Sequence, residues 1–595
     1  MRRIFLCQLA RSDLGASRFL FIAAIACLQS AVASAVEERD LIGLVNNIIP
    51  SSIRVAPDGM RYAAVVVDGD SKQRRVIISG KESSDLYDAV ARETPIFSPD
   101  GKRYAYVASR GDECLVVVDG KESPSYAITK RGWPVADLIF SPSGRHIAYL
   151  TRKEEKNYLV VNGREFGPYD DSAVTDGSVP GIWDFSFADF DDYFSYRAKT
   201  GDKMVACRGW IRGGDISLVA SKPYDSIGAG SPVWLRGKRE TDEGGDLFAF
   251  IARDQEGQEF IGTLPEPQDF APNKTYKIIG RRSLVVAPDE KKTLGFVAGD
   301  EKWNVVVGDT QWPACDRIGD LMVSPSGSRW ACTAIMDNKF VVLVDGMPGP
   351  ACKEIQYPDT LYPAGDDRVV CAVSKGNDSQ TPAHVVVDGR EGDGYAQVQG
   401  SSILFSSDKQ RLAFIAGDGT KQFAVLDGQK GPAFDRVFDL RFDPTSKRFA
   451  YRAQNGLESL VVIDGKPRGP YEDVAAGSPL FNADGTSVVW AAMGEDANWR
   501  VYTDGKAGPG VDAIVSQLTF VPGEAEPAYV ARILSTGTYK YALVSGGKIG
   551  RKYMSIWMGD GGKLFVHDDR TVSCFATIGA QVYRVTALSL SGARP

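Results

Sequence analysis

The chain has 595 residues, a formal net charge of −7, 43% hydrophobic and 24% charged residues, and 62 glycines. An aromatic content of 10% excludes a low-complexity disordered chain. The acidic balance excludes the basic surface with which nucleic-acid binders meet phosphates.

At the start, Arg2, Arg3, Arg11 and Arg18 precede the apolar run 19–27, and Ala33-Ser34-Ala35 reads as a small-residue cleavage site. Residues 1–35 are therefore expected to be a signal peptide. Its removal takes away four arginines and one aspartate, moving the charge from −7 to −10. The competing reading is a lipoprotein box at Ala24-Ile25-Ala26-Cys27, anchoring the chain through Cys27. No later run reaches the ~20 apolar residues of a membrane-spanning helix.

From residue 50 onward one unit recurs. Its clearest copy, residues 95–129, holds a short apolar run before Pro99-Asp100-Gly101, an alternating run Tyr104-Ala105-Tyr106, the run Leu115-Val116-Val117-Val118 before Asp119-Gly120, and a last short run at 126–129. Proline presets φ and Asp-Gly supplies the left-handed residues of tight hairpins, so each unit reads as a four-stranded antiparallel meander. Thirteen units follow one another, those at 183–280 with a degenerate pattern. A small residue between two large ones marks the second strand at 104–106, 147–149, 412–414 and 449–451. Adjacent side chains point to opposite faces, so such strands suit stacked sheets.

The fold expected is all-β, with about thirteen four-stranded blades. Propellers typically hold 4–8 blades. The division expected is therefore two β-propellers of six plus seven blades, residues 36–319 and 320–595 after the signal peptide. The last unit stops after three strands, and residues 41–49, LIGLVNNII, stand where a fourth would lie. They are expected to close that blade, covering an exposed sheet edge.

Phe97-Ser98-Pro99-Asp100-Gly101-Lys102-Arg103, with variants from Phe140 and Val323, resembles the WD40-like, Pro-Asp-rich repeat of bacterial TolB-type propellers. The resemblance implies a periplasmic or secreted protein that binds other proteins through propeller faces. The chain departs from TolB in having twice the blades of one ring and no evident N-terminal α/β domain.

Little in the sequence points to catalysis. The three histidines, His146, His384 and His567, fall in separate units. No G-x-S-x-G elbow, H-E-x-x-H or phosphate-binding loop occurs. The repeated aspartates Asp100, Asp119, Asp388, Asp427 and Asp464 are expected to serve turns. The arginines before the second strand (Arg61, Arg103, Arg411, Arg448) are expected to pair with nearby aspartates. Asp189, Asp191 and Asp192 lack the calcium-loop pattern and read as a turn. Seven cysteines follow residue 35 with no C-x-x-C pair, and most are expected to be buried thiols.

Trp183, Trp210 and Trp234 concentrate in the degenerate units. They are the candidate binding residues, because tryptophan anchors interfaces. The expected function is an exported, non-catalytic scaffold binding a protein or cell-envelope partner through loops, with no cofactor, no metal and no nucleic acid. The alternatives are a ligand-binding or enzymatic propeller with a site in a central funnel, and a purely structural envelope component.

Overall fold

The computed structural model describes residues 37–44 and 47–587, apart from 70, 80, 83–84, 131, 172–180, 189–191, 229–232, 236–246, 265–274, 281–282, 289–292, 358–360, 363–366, 377–380, 521–524, 568–570 and 579–580. The expected signal peptide, Cys27, Asp189 and Asp191 lie outside them.

Thirteen sheets follow in chain order, spanning 54–82, 89–127, 135–169, 182–220, 226–264, 278–311, 317–348, 354–395, 397–430, 436–471, 473–507, 513–553 and 555–587. Each is a meander on a four-strand plan, its first strand often broken in two. The tenth is representative: Arg436–Phe442, Phe449–Asn455, Glu458–Ile463 and Lys466–Tyr471 pair in sequence, antiparallel throughout. These are β-propeller blades. Of the units with a degenerate pattern, 182–220 is a four-stranded sheet, and 226–264 holds a first strand broken in two, a second and a third among the described residues.

Two compact units result: Leu44–Ala507, holding eleven sheets, and Met1–Gly43 with Gly508–Pro595, holding the last two. These are not groups of six and seven. Gly319, near which a boundary was expected, lies between Arg317–Ile318 and Met322–Val323, two strands of one sheet. The cluster of Val297, Val305 and Trp312 with Leu321, Trp330 and Cys332 runs across it as continuous core.

The seam forms, with shifted bounds. Glu37–Leu44 pairs with Gln581–Ala587 and supplies the outer strand of the thirteenth sheet. The expected strand continued to Ile49. Instead Asn47 takes a left-handed φ of 60°, ending the run, and Ile48 bridges Val66 of the first sheet.

Sheets stack through a repeated aromatic contact. The closing residue of one sheet meets the central residue of the next sheet's second strand: Tyr87 on Tyr106, Tyr126 on Tyr149, Tyr169 on Tyr196, Phe434 on Tyr451. Ring centroids stand 5.8–6.4 Å apart in T-shaped pairs, the favoured aromatic geometry. At two interfaces thiols take both positions. Cys315 and Cys332 hold these positions between the sixth and seventh sheets, and Cys352 and Cys371 between the seventh and eighth. Thiols are smaller than rings, and a cavity of about 40 Å³ remains beside Cys352 and Cys371. All seven described cysteines are buried thiols outside any disulfide, as expected. Burial pushes Cys332 and Cys371 up to about 12, so they are held protonated.

Turn chemistry fixes the register. In the second hairpin turn, Asp119 and Gly120 both take positive φ (50° and 80°), the two left-handed residues of a type I′ turn. Asp345, Asp388, Asp427, Asp464 and Asp504 repeat this at 48–51°. In the first turn, Ser98 donates to Asp100 (2.6 Å) while accepting from the Arg103 N–H (2.9 Å). Such hydrogen bonds hold carboxylates below their usual range, as for Asp100 and Asp408. Asp418, which accepts from the Lys421 and Thr420 N–H groups, is held down to about 2. The folded values are depressed, so their contribution is complete above the usual carboxylate pKa near 4 and is lost as pH falls through the folded values. Acid titration followed by circular dichroism should show stability falling between about pH 4 and pH 2, less steeply in Asp418→Asn.

Candidate binding site

The recurrent arginines do more than pair with aspartates. Arg103 donates from Nε to Asp119 (2.8 Å) in its own sheet and from Nη1 to the Arg145 carbonyl (2.6 Å) in the next. Its guanidinium lies 5.4 Å from the Phe140 ring, again in the next sheet. Arg411 repeats this on Asp427, Lys447 and Phe442, and Arg448 on Asp464, Thr486 and Phe481. Arg329 pairs with Asp345 and reaches Asp388 of the next sheet at 2.8 Å. Each is therefore a staple between sheets. Lysine, a point donor, can hold only one end of it. Arg448→Lys should cost about 1–2 kcal/mol in chemical denaturation, with secondary structure unchanged.

A second staple uses a mid-strand arginine. Arg452 stands opposite Phe438 and lies 4.6 Å from its ring. It donates to Asp439 (3.0 Å) and to the Val474 carbonyl of the eleventh sheet (3.0 Å). Arg197 does the same with Trp183 (5.5 Å), Asp184 (2.5 Å) and the Ile227 carbonyl of the fifth sheet (2.8 Å). Trp183, half-buried, is thus the platform of an internal staple. Trp210, also half-buried, covers the buried Arg208, whose guanidinium lies 5.6 Å from its ring and 4.9 Å from that of Tyr193. Trp234 lies in Val233–Leu235, opposite Phe248. Sequence reasoning saw the aromatic enrichment here; the arginines that use Trp183 and Trp210 became visible only with strand register.

The histidines stay apart from one another, and the His146 ring stacks on Phe187 of the fourth sheet. His146 shares a hydrogen bond with Asn162 (2.9 Å), and His384 with the Gly392 carbonyl (3.0 Å). His567 meets Ser573 at 2.6 Å, but Ser573 is wholly buried and no substrate can reach it. Among the described residues no group of three or more His, Cys, Asp or Glu side chains could hold a metal ion.

A cleft of about 270 Å³ opens between the eighth and ninth sheets. Its polar wall comprises Glu354, Gln356, Ser374, Thr381 and Gln397, and its floor Ala372, Val373 and Val398. Gln356 donates from Nε2 to Glu354 (2.7 Å) and accepts the Gly400 N–H of the ninth sheet (3.2 Å). One carboxylate, two amides and two hydroxyls over an apolar floor suit a small polar ligand and oppose an anion. Nothing in the sequence pointed to this cleft, because its residues come from two different repeats.

No protein-family model matches the chain, and no curated protein matches it. Among solved structures it is similar to a eukaryotic initiation factor, at 11% identity and a TM-score of 0.28 over 67% of this chain and 93% of that one. A GH74 enzyme from Niastella koreensis is similar at 12% identity and 0.26, over 92% and 99%. The Dos1 propeller is similar at 12% and 0.26, over 56% and 90%. None of these likenesses bears on what the chain does. Among the described residues no helix is long and apolar enough to cross a membrane.

Proposed function

We propose that the chain is an exported, non-catalytic β-propeller scaffold, of WD40-like, TolB-type kinship, that binds a protein or cell-envelope partner through the ends of its blades. The observation that carries this reading is an apolar patch at one end of the twelfth sheet. Leu534 and Tyr539 face each other across a hairpin and are 52% and 54% exposed, with the Arg532 guanidinium 4.6 Å from the Tyr539 ring. Exposed apolar groups clustered at a hairpin tip mark a contact surface rather than a core. The repeated aspartates and arginines, by contrast, are engaged in turns and staples. Export is supported by the arginines and apolar run ahead of Ala33-Ser34-Ala35.

The test is crosslinking and affinity capture from a bacterial envelope fraction, with the mature N-terminus read by mass spectrometry. A partner captured by the native chain and lost with Leu534→Asp/Tyr539→Asp supports the reading. Equal capture by both, or a mature chain still carrying residues 1–35, overturns it. The cleft between the eighth and ninth sheets favours a second reading, a propeller that binds a small ligand.

A further inference from the structure

The cleft sits where two other interfaces carry an internal arginine. In the tenth sheet Phe438 stands opposite Arg452, and in the fourth Trp183 stands opposite Arg197. In the eighth, Gln356 stands opposite Ala372. The staple's acceptors are the carbonyls of Val474, opposite Ala492, and of Ile227, opposite Ala252. The same register position in the ninth sheet is Val398, opposite Ala416. Ala372 therefore takes the arginine's place and Val398 the acceptor's. Both line the cleft.

The remaining walls suit the group the alanine lacks. Glu354 brings a carboxylate, and Ser374, Thr381 and the Gln356 and Gln397 amides bring further acceptors. Among the described residues no lysine or arginine lines the cleft, and the nearby Lys375 is bound to Glu391 at 2.9 Å. A planar cation with several donors fits this set better than a point charge or an anion.

We propose that the cleft is a guanidinium site, filled from outside by the group that Arg197 and Arg452 supply from within. Its source is an arginine side chain of another protein or a free guanidino compound. The site is independent of the apolar patch at Leu534 and Tyr539, so the two proposals fail separately.

The probe is N-acetyl-L-arginine methylamide, titrated calorimetrically into the full-length chain, with the neutral citrulline analogue as control. The arginine probe is expected to bind, and the citrulline analogue to bind at least about tenfold more weakly. Ala372→Arg should supply its own staple and abolish binding while the chain still melts cooperatively. Should that variant not fold, Ala372→Leu, which fills the slot without charge, must also abolish binding. Glu354→Gln should weaken it about tenfold. An arginine-containing peptide at least about tenfold tighter than the probe assigns the source to a protein; equal affinity assigns it to a free compound. Equal binding of both probes, binding undiminished in folded Ala372→Arg or Ala372→Leu, or no heat at millimolar probe overturns the proposal.

Discussion

Removing residues 37–44 is expected to destabilise the last two sheets sharply while leaving the eleven sheets of residues 54–507 folded. The strand Glu37–Leu44 is the outer strand of the thirteenth sheet, and its loss leaves Gln581–Ala587 as an open edge. Each ladder hydrogen bond lost costs about 1 kcal/mol before any apolar burial is counted. An exposed edge is also a template for pairing with another chain. Differential scanning calorimetry should therefore show an early transition, with concentration-dependent association above it. A thermogram unchanged by the deletion would remove the structural role of this strand.

The second large effect is expected at Trp490. This side chain is 1% exposed, stacks on Tyr502 with centroids 5.4 Å apart, and packs among Ala450, Val461 and Phe481 where the tenth and eleventh sheets meet. Large-to-small replacement of a buried aromatic removes transfer energy and leaves a cavity, so Trp490→Ala should cost about 3–5 kcal/mol. Trp490→Phe retains a ring at the position and should cost clearly less. Urea titration distinguishes them; equal losses would mean that ring contact is not what joins these sheets.

The architecture was legible where the determining chemistry is local. An Asp-Gly turn needs only its own two residues, so blades, hairpins and the structural role of Asp119 or Asp464 could be read directly. The strand closing the last sheet was legible because the final unit lacked one, though its end was not: Asn47 adopts its left-handed conformation between the apolar stretches 41–45 and 48–49. What depends on pairs of sheets was hidden. Arg103 looked like a turn residue because its second partner, Arg145, lies in another repeat. The cleft was further from view, since it is defined by an alanine standing where a sister sheet has arginine. A boundary near Gly319 was not legible either, because the core around Trp312 and Trp330 continues across that region.

The thiol positions have a practical consequence. Every described cysteine is buried, so a thiol reagent can react with these residues only when the surrounding sheets separate. With Cys7 and Cys27 substituted, labelling rates at Cys114, Cys207, Cys315, Cys332, Cys352, Cys371 and Cys574 become site-resolved clocks of local opening. They report from the second, fourth, sixth, seventh, eighth and thirteenth sheets without any introduced probe. The interface between the seventh and eighth sheets, where two thiols and a void replace a pair of rings, is where the fastest clock should run.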